Sequence, residues 1–142
     1  MPTVSEILRR KGDDVFTVSP TATAMDAIRA MNNHRLGAVV VVDDGQVVGM
    51  FTERDVLVRL LGASLDPEST RVEDVMTTPV AYCTTNTPLT ECKSIFTERR
   101  IRHLPVMEDD RLAGMVTSGD ILAFEATDHE QTIRYLESYI QS

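Results

Sequence analysis

Two apolar periods alternate along this 142-residue chain, and their changes mark the elements. A short helix is predicted over Val4–Arg9, followed by an extended piece at Val15–Val18. Ser19-Pro20-Thr21 supplies turn and cap chemistry for a helix in which Ala24, Ala27, Ile28 and Met31 recur at spacings of three and four. Ala38–Val42 is apolar at every position, as in a strand covered on both faces. Asp43-Asp44-Gly45 is a hairpin signal, and Gln46–Phe51 pairs back. A last helix opens after Thr52 and carries Val56, Leu57 and Leu60.

The same pattern then returns. Shifted by 65 residues, Val15–Leu57 lies over Val80–Leu122 without a gap, with nine identities that include Gly49/Gly114, Met50/Met115, Thr52/Thr117 and Asp55/Asp120. Val4, Ile7 and Leu8 match Val72, Val75 and Met76 once three linker residues are allowed for. In the second copy Val80–Cys83 is the extended piece, Thr84-Thr85-Asn86 the turn, and Leu89, Cys92, Ile95 and Phe96 the buried helix face. Each unit reads β-α-β-β-α after its short first helix. One unit of about 60 residues buries too little surface to be secure alone. The expected fold is therefore α/β of the α+β type: two repeats, residues 1–65 and 66–126, packed sheet to sheet with pseudo-twofold symmetry, plus a C-terminal helix over 127–142. In that tail Thr127 and Glu130 read as a capping box. Ile133, Leu136 and Ile140 form a stripe that either packs on its own module or completes a dimer interface.

Composition narrows the function. Apolar residues make up 42% and charged residues 25%, which suits a folded chain; aromatics are only 5%, so the core is aliphatic, with methionines as fillers. A net charge of −8 disfavours nucleic acid as a partner. No apolar run is long enough for a membrane span, and the first residues do not read as a signal peptide, so a cytoplasmic location is expected. Cys83 and Cys92 fit neither a CxxC nor a zinc set, and read as two small half-buried side chains. There is no Ser-His-Asp context, paired-carboxylate site or P-loop, so the protein is not expected to be an enzyme or to hold a metal or catalytic cofactor.

The chemistry that stands out is the repeated Thr-x-x-Asp at a strand-to-helix junction. It is a variant of the capping box, and also a place where free N–H groups and the helix dipole favour an anion. The Asp carboxylate suits a ribose diol.

Gly49-Met50-Phe51-Thr52-x-x-Asp55, Gly114-Met115-Val116-Thr117-x-x-Asp120, Val72-x-Asp74-Val75-Met76-Thr77 and Ile101-Arg102-His103-Leu104-Pro105-Val106 together resemble the CBS (cystathionine β-synthase) domain, in a tandem pair over roughly residues 3–125. The resemblance implies a regulatory module that binds AMP, or else ATP, ADP, NAD(H) or S-adenosylmethionine, between its repeats, and that forms a homodimer. It implies one cleft formed by Thr52, Arg54 and Asp55, walled by Thr78, Val80 and Ala81 with Arg102, His103 and Pro105 nearby. It implies a second formed by Thr117, Gly119 and Asp120, walled by Val15 and Phe16 with Gly37 and Ala38. Arg54, Arg102 and His103 make the first cleft the expected phosphate site, with Lys11 a weaker candidate for the second. Repeat one departs from the family's Leu-Pro-Val, reading Leu36-Gly37-Ala38-Val39-Val40. The rival expectation is a ligand-free structural or adaptor dimer that docks a partner protein.

Overall fold

A computed structural model describes residues 1–141. The elements are α1 (Val4–Lys11), β1 (Thr17–Val18), α2 (Ala24–His34), β2 (Ala38–Asp43), β3 (Gln46–Thr52), α3 (Glu53–Asp55), α4 (Val72–Val75), α5 (Leu89–Arg99), β4 (His103–Glu108), β5 (Arg111–Thr117) and α6 (Ser118–Gln141). β1 runs parallel to β2, and β2 pairs antiparallel with β3. β4 and β5 form the second sheet. The repeat survives in detail. Val18 pairs with Val41, and at the equivalent register Cys83 makes a single parallel bridge to Val106, so the extended piece expected at Val80–Cys83 is one bridge long. Both hairpins carry a bulge at the same place, between Val41 and Val42 and between Val106 and Met107. Both turn through two positive-φ residues, Asp44-Gly45 and Asp109-Asp110.

The two cores do not follow the linear repeats. Ala24, Ala27, Met31, Val39, Val41, Phe51 and Leu60 form one core, and the helix that seals it is α4, through Val72 and Val75. The other core gathers Cys83, Leu89, Cys92, Phe96, Leu104, Val106, Val116, Ile121 and Phe124, and it is sealed by Val4 and Ile7 of α1. Each short first helix thus completes the half formed by the other repeat. Backbone bonds fix the exchange: Ala24 N–H to Thr70 O and Val72 N–H to Ala22 O on one side, Val4 N–H to Thr87 O and Leu89 N–H to Pro2 O on the other.

The glycines of the repeated motif belong to this exchange. A Cβ at Gly49 would overlap the Met76 thioether, and one at Gly114 would stand 2.8 Å from a Leu8 methyl. Met76 and Leu8 are equivalent residues of the exchanged helices, so each glycine leaves the hole that the crossing helix fills.

On the opposite face of the first sheet Ala38, Val40 and Met50 are buried, yet they belong to neither helix-sealed core. The corresponding positions of the second sheet are His103, Pro105 and Met115. The approach is close where a Cβ on Gly37 would meet the His103 ring at 3.1 Å.

Three expectations are corrected. The helix after Thr52 has one α turn and then continues as a π-helix over Val56–Leu61, with Gly62 N–H bonded to Leu57 O five residues back. The wider turn points Leu60 into the core and leaves Leu57 66% exposed. The cap of α2 is Thr23, which accepts from Asp26 N–H, while Ser19 and Thr21 bond each other in the preceding turn. Thr127 caps nothing: α6 runs through it, and its hydroxyl donates to Ala123 O within the helix. Ile133, Leu136 and Ile140 are exposed, so the tail does not pack on its own module; residue 142 lies outside the described residues. Among the described residues no helix is long and apolar enough to cross a membrane.

Gly49→Ala should lower the unfolding free energy by about 1–3 kcal/mol, the range for overpacking. Urea denaturation reads this directly; an unchanged midpoint would mean that Met76 does not fill that hole.

Candidate functional site

The exchange forces two segments to cross from one half to the other. Residues 77–83 leave the edge of β3, where Thr77 and Met50 exchange backbone bonds of 2.7 and 3.0 Å, and reach β4, where Cys83 bonds Pro105 and Met107. Residues 11–17 leave α1 on β5 and reach β2, where Thr17 is in register with Val40. Each crossing segment passes a Thr-x-x-Asp junction, and each sends one side chain onto the aspartate there.

At the first junction the capping box is complete. Thr52 Oγ1 accepts from Asp55 N–H at 3.2 Å, and Asp55 Oδ2 accepts from Thr52 N–H at 3.0 Å and from its hydroxyl at 3.1 Å. Thr77 donates to the same carboxylate, 2.8 Å to Oδ1 and 3.0 Å to Oδ2. Arg59 Nε lies 3.4 Å from Oδ1, and its guanidinium also donates to Met76 O. The Asp55 side chain is only 5% exposed. Both oxygens are occupied, so a ribose diol would have to displace bonds already made.

The second junction has the same cap and a different partner. Thr117 N–H donates to Asp120 Oδ2 at 2.9 Å, and Thr117 Oγ1 accepts from Asp120 N–H at 3.0 Å. Lys11 Nζ donates to Oδ2 at 2.8 Å and to Met115 O at 3.0 Å. Among the described residues no donor meets Oδ1, and the side chain is 23% exposed. This carboxylate can still take a hydroxyl. The two carboxylates thus differ in what they have left to offer, since both Asp55 oxygens are bonded and, among the described residues, Asp120 Oδ1 is not.

The remaining expected residues fall around this seam. Glu53 N–H bonds Gly37 O and Ser118 N–H bonds Arg102 O, both at 3.0 Å, which ties Gly37-Ala38 and Arg102-His103 to their own junctions. His103, opposite Thr117 on β5, lies within the electrostatic reach of Glu53, Lys11, Arg102 and Asp120. Burial, the largest influence, holds its imidazole below the ordinary histidine range despite the Glu53 carboxylate, so the ring is neutral at pH 7. Arg54 and Arg102 are exposed, with no ion-pair partner among the described residues, and Gly119 is exposed beside Thr117. Thr78 is exposed next to Thr77, Val80 is half-buried, and Ala81 packs on the second core. Pro105 is buried. Val15 is half-buried, whereas Phe16, expected as a purine wall, stacks on His34 with ring centroids 3.8 Å apart. An open groove of about 810 Å³ lies along α1 and the β4–β5 hairpin; it includes Val15 but neither Thr-x-x-Asp.

Sequence reasoning did not single out Thr77 or Arg59 as partners of Asp55. Thr77 stood within a quoted motif, but nothing local says that its hydroxyl meets a carboxylate 22 positions earlier. Cys83 and Cys92 are both buried and free; the Cys83 thiol donates to Pro105 O at 3.7 Å, and the neighbouring Cys92 together with burial pushes it above its ordinary range.

A family model described as the CBS domain matches this chain twice, at residues 4–62 and 72–126. The chain belongs to the CBS-domain family. The CBS domain-containing protein CBSX3, mitochondrial, of Arabidopsis thaliana is 32% identical over 148 residues, spanning 98% of this chain and 72% of that protein. A CBS-domain containing protein of Agrobacterium tumefaciens has a crystal structure that covers 87% of this chain and 99% of its own, at 38% identity and a TM-score of 0.83. A CBS domain pair crystallised with 5′-methylthioadenosine and S-adenosyl-L-methionine shares the fold, with a TM-score of 0.79 at 24% identity over 90% of this chain and 98% of that one.

Proposed function

We propose that this CBS pair is a regulatory sensor of an adenosine ligand, bound at the seam where the crossing segments pass the Thr-x-x-Asp junctions, and that it is not itself an enzyme. The observation that carries the reading is Asp120: a partly exposed carboxylate at the start of a long helix, with one oxygen unspent among the described residues. Thr117 and Asp120 hold the ribose, and Val15, Gly37 and Ala38 flank the base. Arg102 and His103 stand toward the anionic end. Thr52, Arg54 and Asp55, with Thr78, Val80, Ala81 and Pro105, form the second, tighter position. A ligand spanning both halves stabilises their packing by mass action and so changes what the module presents to a partner.

The output surface is a second copy of the chain. Leu57 and Leu122 are equivalent in the repeat, and both are exposed, at 66% and 69%. Val58 and Leu61 extend the same apolar surface. The tail stripe of Ile133, Leu136 and Ile140 supports the adaptor reading, in which a further protein docks on this helix.

Calorimetric titration with AMP, ATP, NADH and S-adenosylmethionine should give at least one dissociation constant below about 1 mM. Binding by none of the four would end the sensor reading. Sedimentation should show a dimer of the 15.8 kDa chain that Leu57→Glu with Leu122→Glu converts to monomer; a monomeric wild type would remove the homodimer.

A further inference from the structure

Among the residues around the two junctions, Lys11 breaks the pseudo-symmetry most sharply. Thr77 and Lys11 do the same thing at equivalent places, since each crossing segment sends one side chain to the local aspartate. They differ in freedom. Thr77 is held by two backbone bonds to Met50, and its hydroxyl sits on a short, β-branched side chain with one stiff torsion, so its reach is confined to the neighbourhood of Asp55. Lys11 is the last residue of α1 and is followed by Gly12, which has a φ of +92°. Its side chain is 32% exposed, and its four-carbon stem can swing while the backbone stays in place.

We propose that Lys11 is the specificity-determining residue of the Asp120 cleft: it neutralises Asp120 while the cleft is empty, and turns to a 5′-phosphate once a ribose diol has taken the carboxylate. This rests on the adenosine-ligand reading above and goes beyond it, because it assigns the cleft and the chemistry of the 5′ group. A diol that takes Asp120 competes with the ammonium for Oδ2, the only carboxylate oxygen that Lys11 holds. The ammonium then keeps Met115 O and needs a second acceptor. A phosphate one ribose ring away provides it, as a charge-assisted bond. A neutral 5′ substituent does not, and a cationic one is repelled by Lys11 and by Arg102. At Asp55 the residue that arrives on the crossing segment, Thr77, carries no charge, and the cation, Arg59, comes from the same helix as the aspartate and meets a carboxylate that is already bonded at both oxygens.

The test uses the full chain and two probes that share adenosine and differ at C5′: AMP and 5′-methylthioadenosine. In calorimetry, Lys11→Met should weaken AMP at least about tenfold, as expected for loss of one hydrogen bond to a charged group. It should leave 5′-methylthioadenosine within about twofold of wild type or tighter. Lys11→Arg should restore the preference for AMP. Thermal unfolding of the unliganded variants separates this from damage to the fold, since Lys11 is a surface side chain. Equal weakening of both probes, or no effect on either, would overturn the role of Lys11 while leaving the sensor reading intact. Failure of wild type to bind either probe would remove the assignment of Lys11 together with its AMP-class ligand. The sensor reading itself falls only when ATP, NADH and S-adenosylmethionine fail as well.

Discussion

The exchange of the two short first helices is the constraint on which the rest of this structure depends. Val72 and Val75 seal the core formed by the first repeat, and Val4 and Ile7 seal that of the second. Neither linear repeat can therefore close its own core, and the two halves fold as one body. The exchange also creates the seam where we place the ligand. Because each first helix lies on the far half, the chain that follows it must return across the seam, and it does so beside a strand-to-helix junction. The glycines at 49 and 114 are conditions of the same arrangement, because Met76 and Leu8 occupy the space a side chain would need.

A duplicated motif does not produce duplicated chemistry. Both Thr-x-x-Asp sets cap a helix with nearly the same geometry. What distinguishes them arrives from elsewhere in the chain. At Asp55 the newcomer is a neutral hydroxyl fixed by backbone pairing, with Arg59 beside it, and the carboxylate becomes a buried structural knot. At Asp120 it is a mobile ammonium, and one oxygen is left over. A carboxylate that is buried and fully bonded contributes to the fold; one that is partly exposed and half-bonded is available to a ligand.

The repeat, the strands, the hairpins and most core positions were legible in the sequence because they depend on local period and turn chemistry. Ala24, Ala27 and Met31 are buried as their spacing requires, and Asp44-Gly45 turns as its composition requires. The helix exchange was not legible. An apolar stripe such as Val4, Ile7 and Leu8 says that a face is buried and not which sheet covers it. The π-helical turn over Val56–Leu61 escaped for a related reason, since a change of pitch leaves no mark in a short apolar run. At the two junctions, the motif named the aspartates, and the side chains that meet them were not legible. Arg54, Arg102 and His103 suggested charge at the first cleft, but availability depends on Thr77, Arg59 and Lys11, whose long-range partners no spacing rule reveals.

Denaturant unfolding of Asp55→Ala and Asp120→Ala, each with and without AMP, separates the duties of the two motifs. Asp55→Ala removes a cap and leaves the Thr77 hydroxyl and Arg59 without their buried acceptor, a loss of about 2–4 kcal/mol. Asp120→Ala removes a cap and a partly exposed ion pair, a loss of about 1 kcal/mol. Asp55→Ala should be the less stable of the two, and Asp120→Ala should no longer gain stability from AMP. Equal losses of stability, with the AMP effect abolished by Asp55→Ala alone, would contradict that separation.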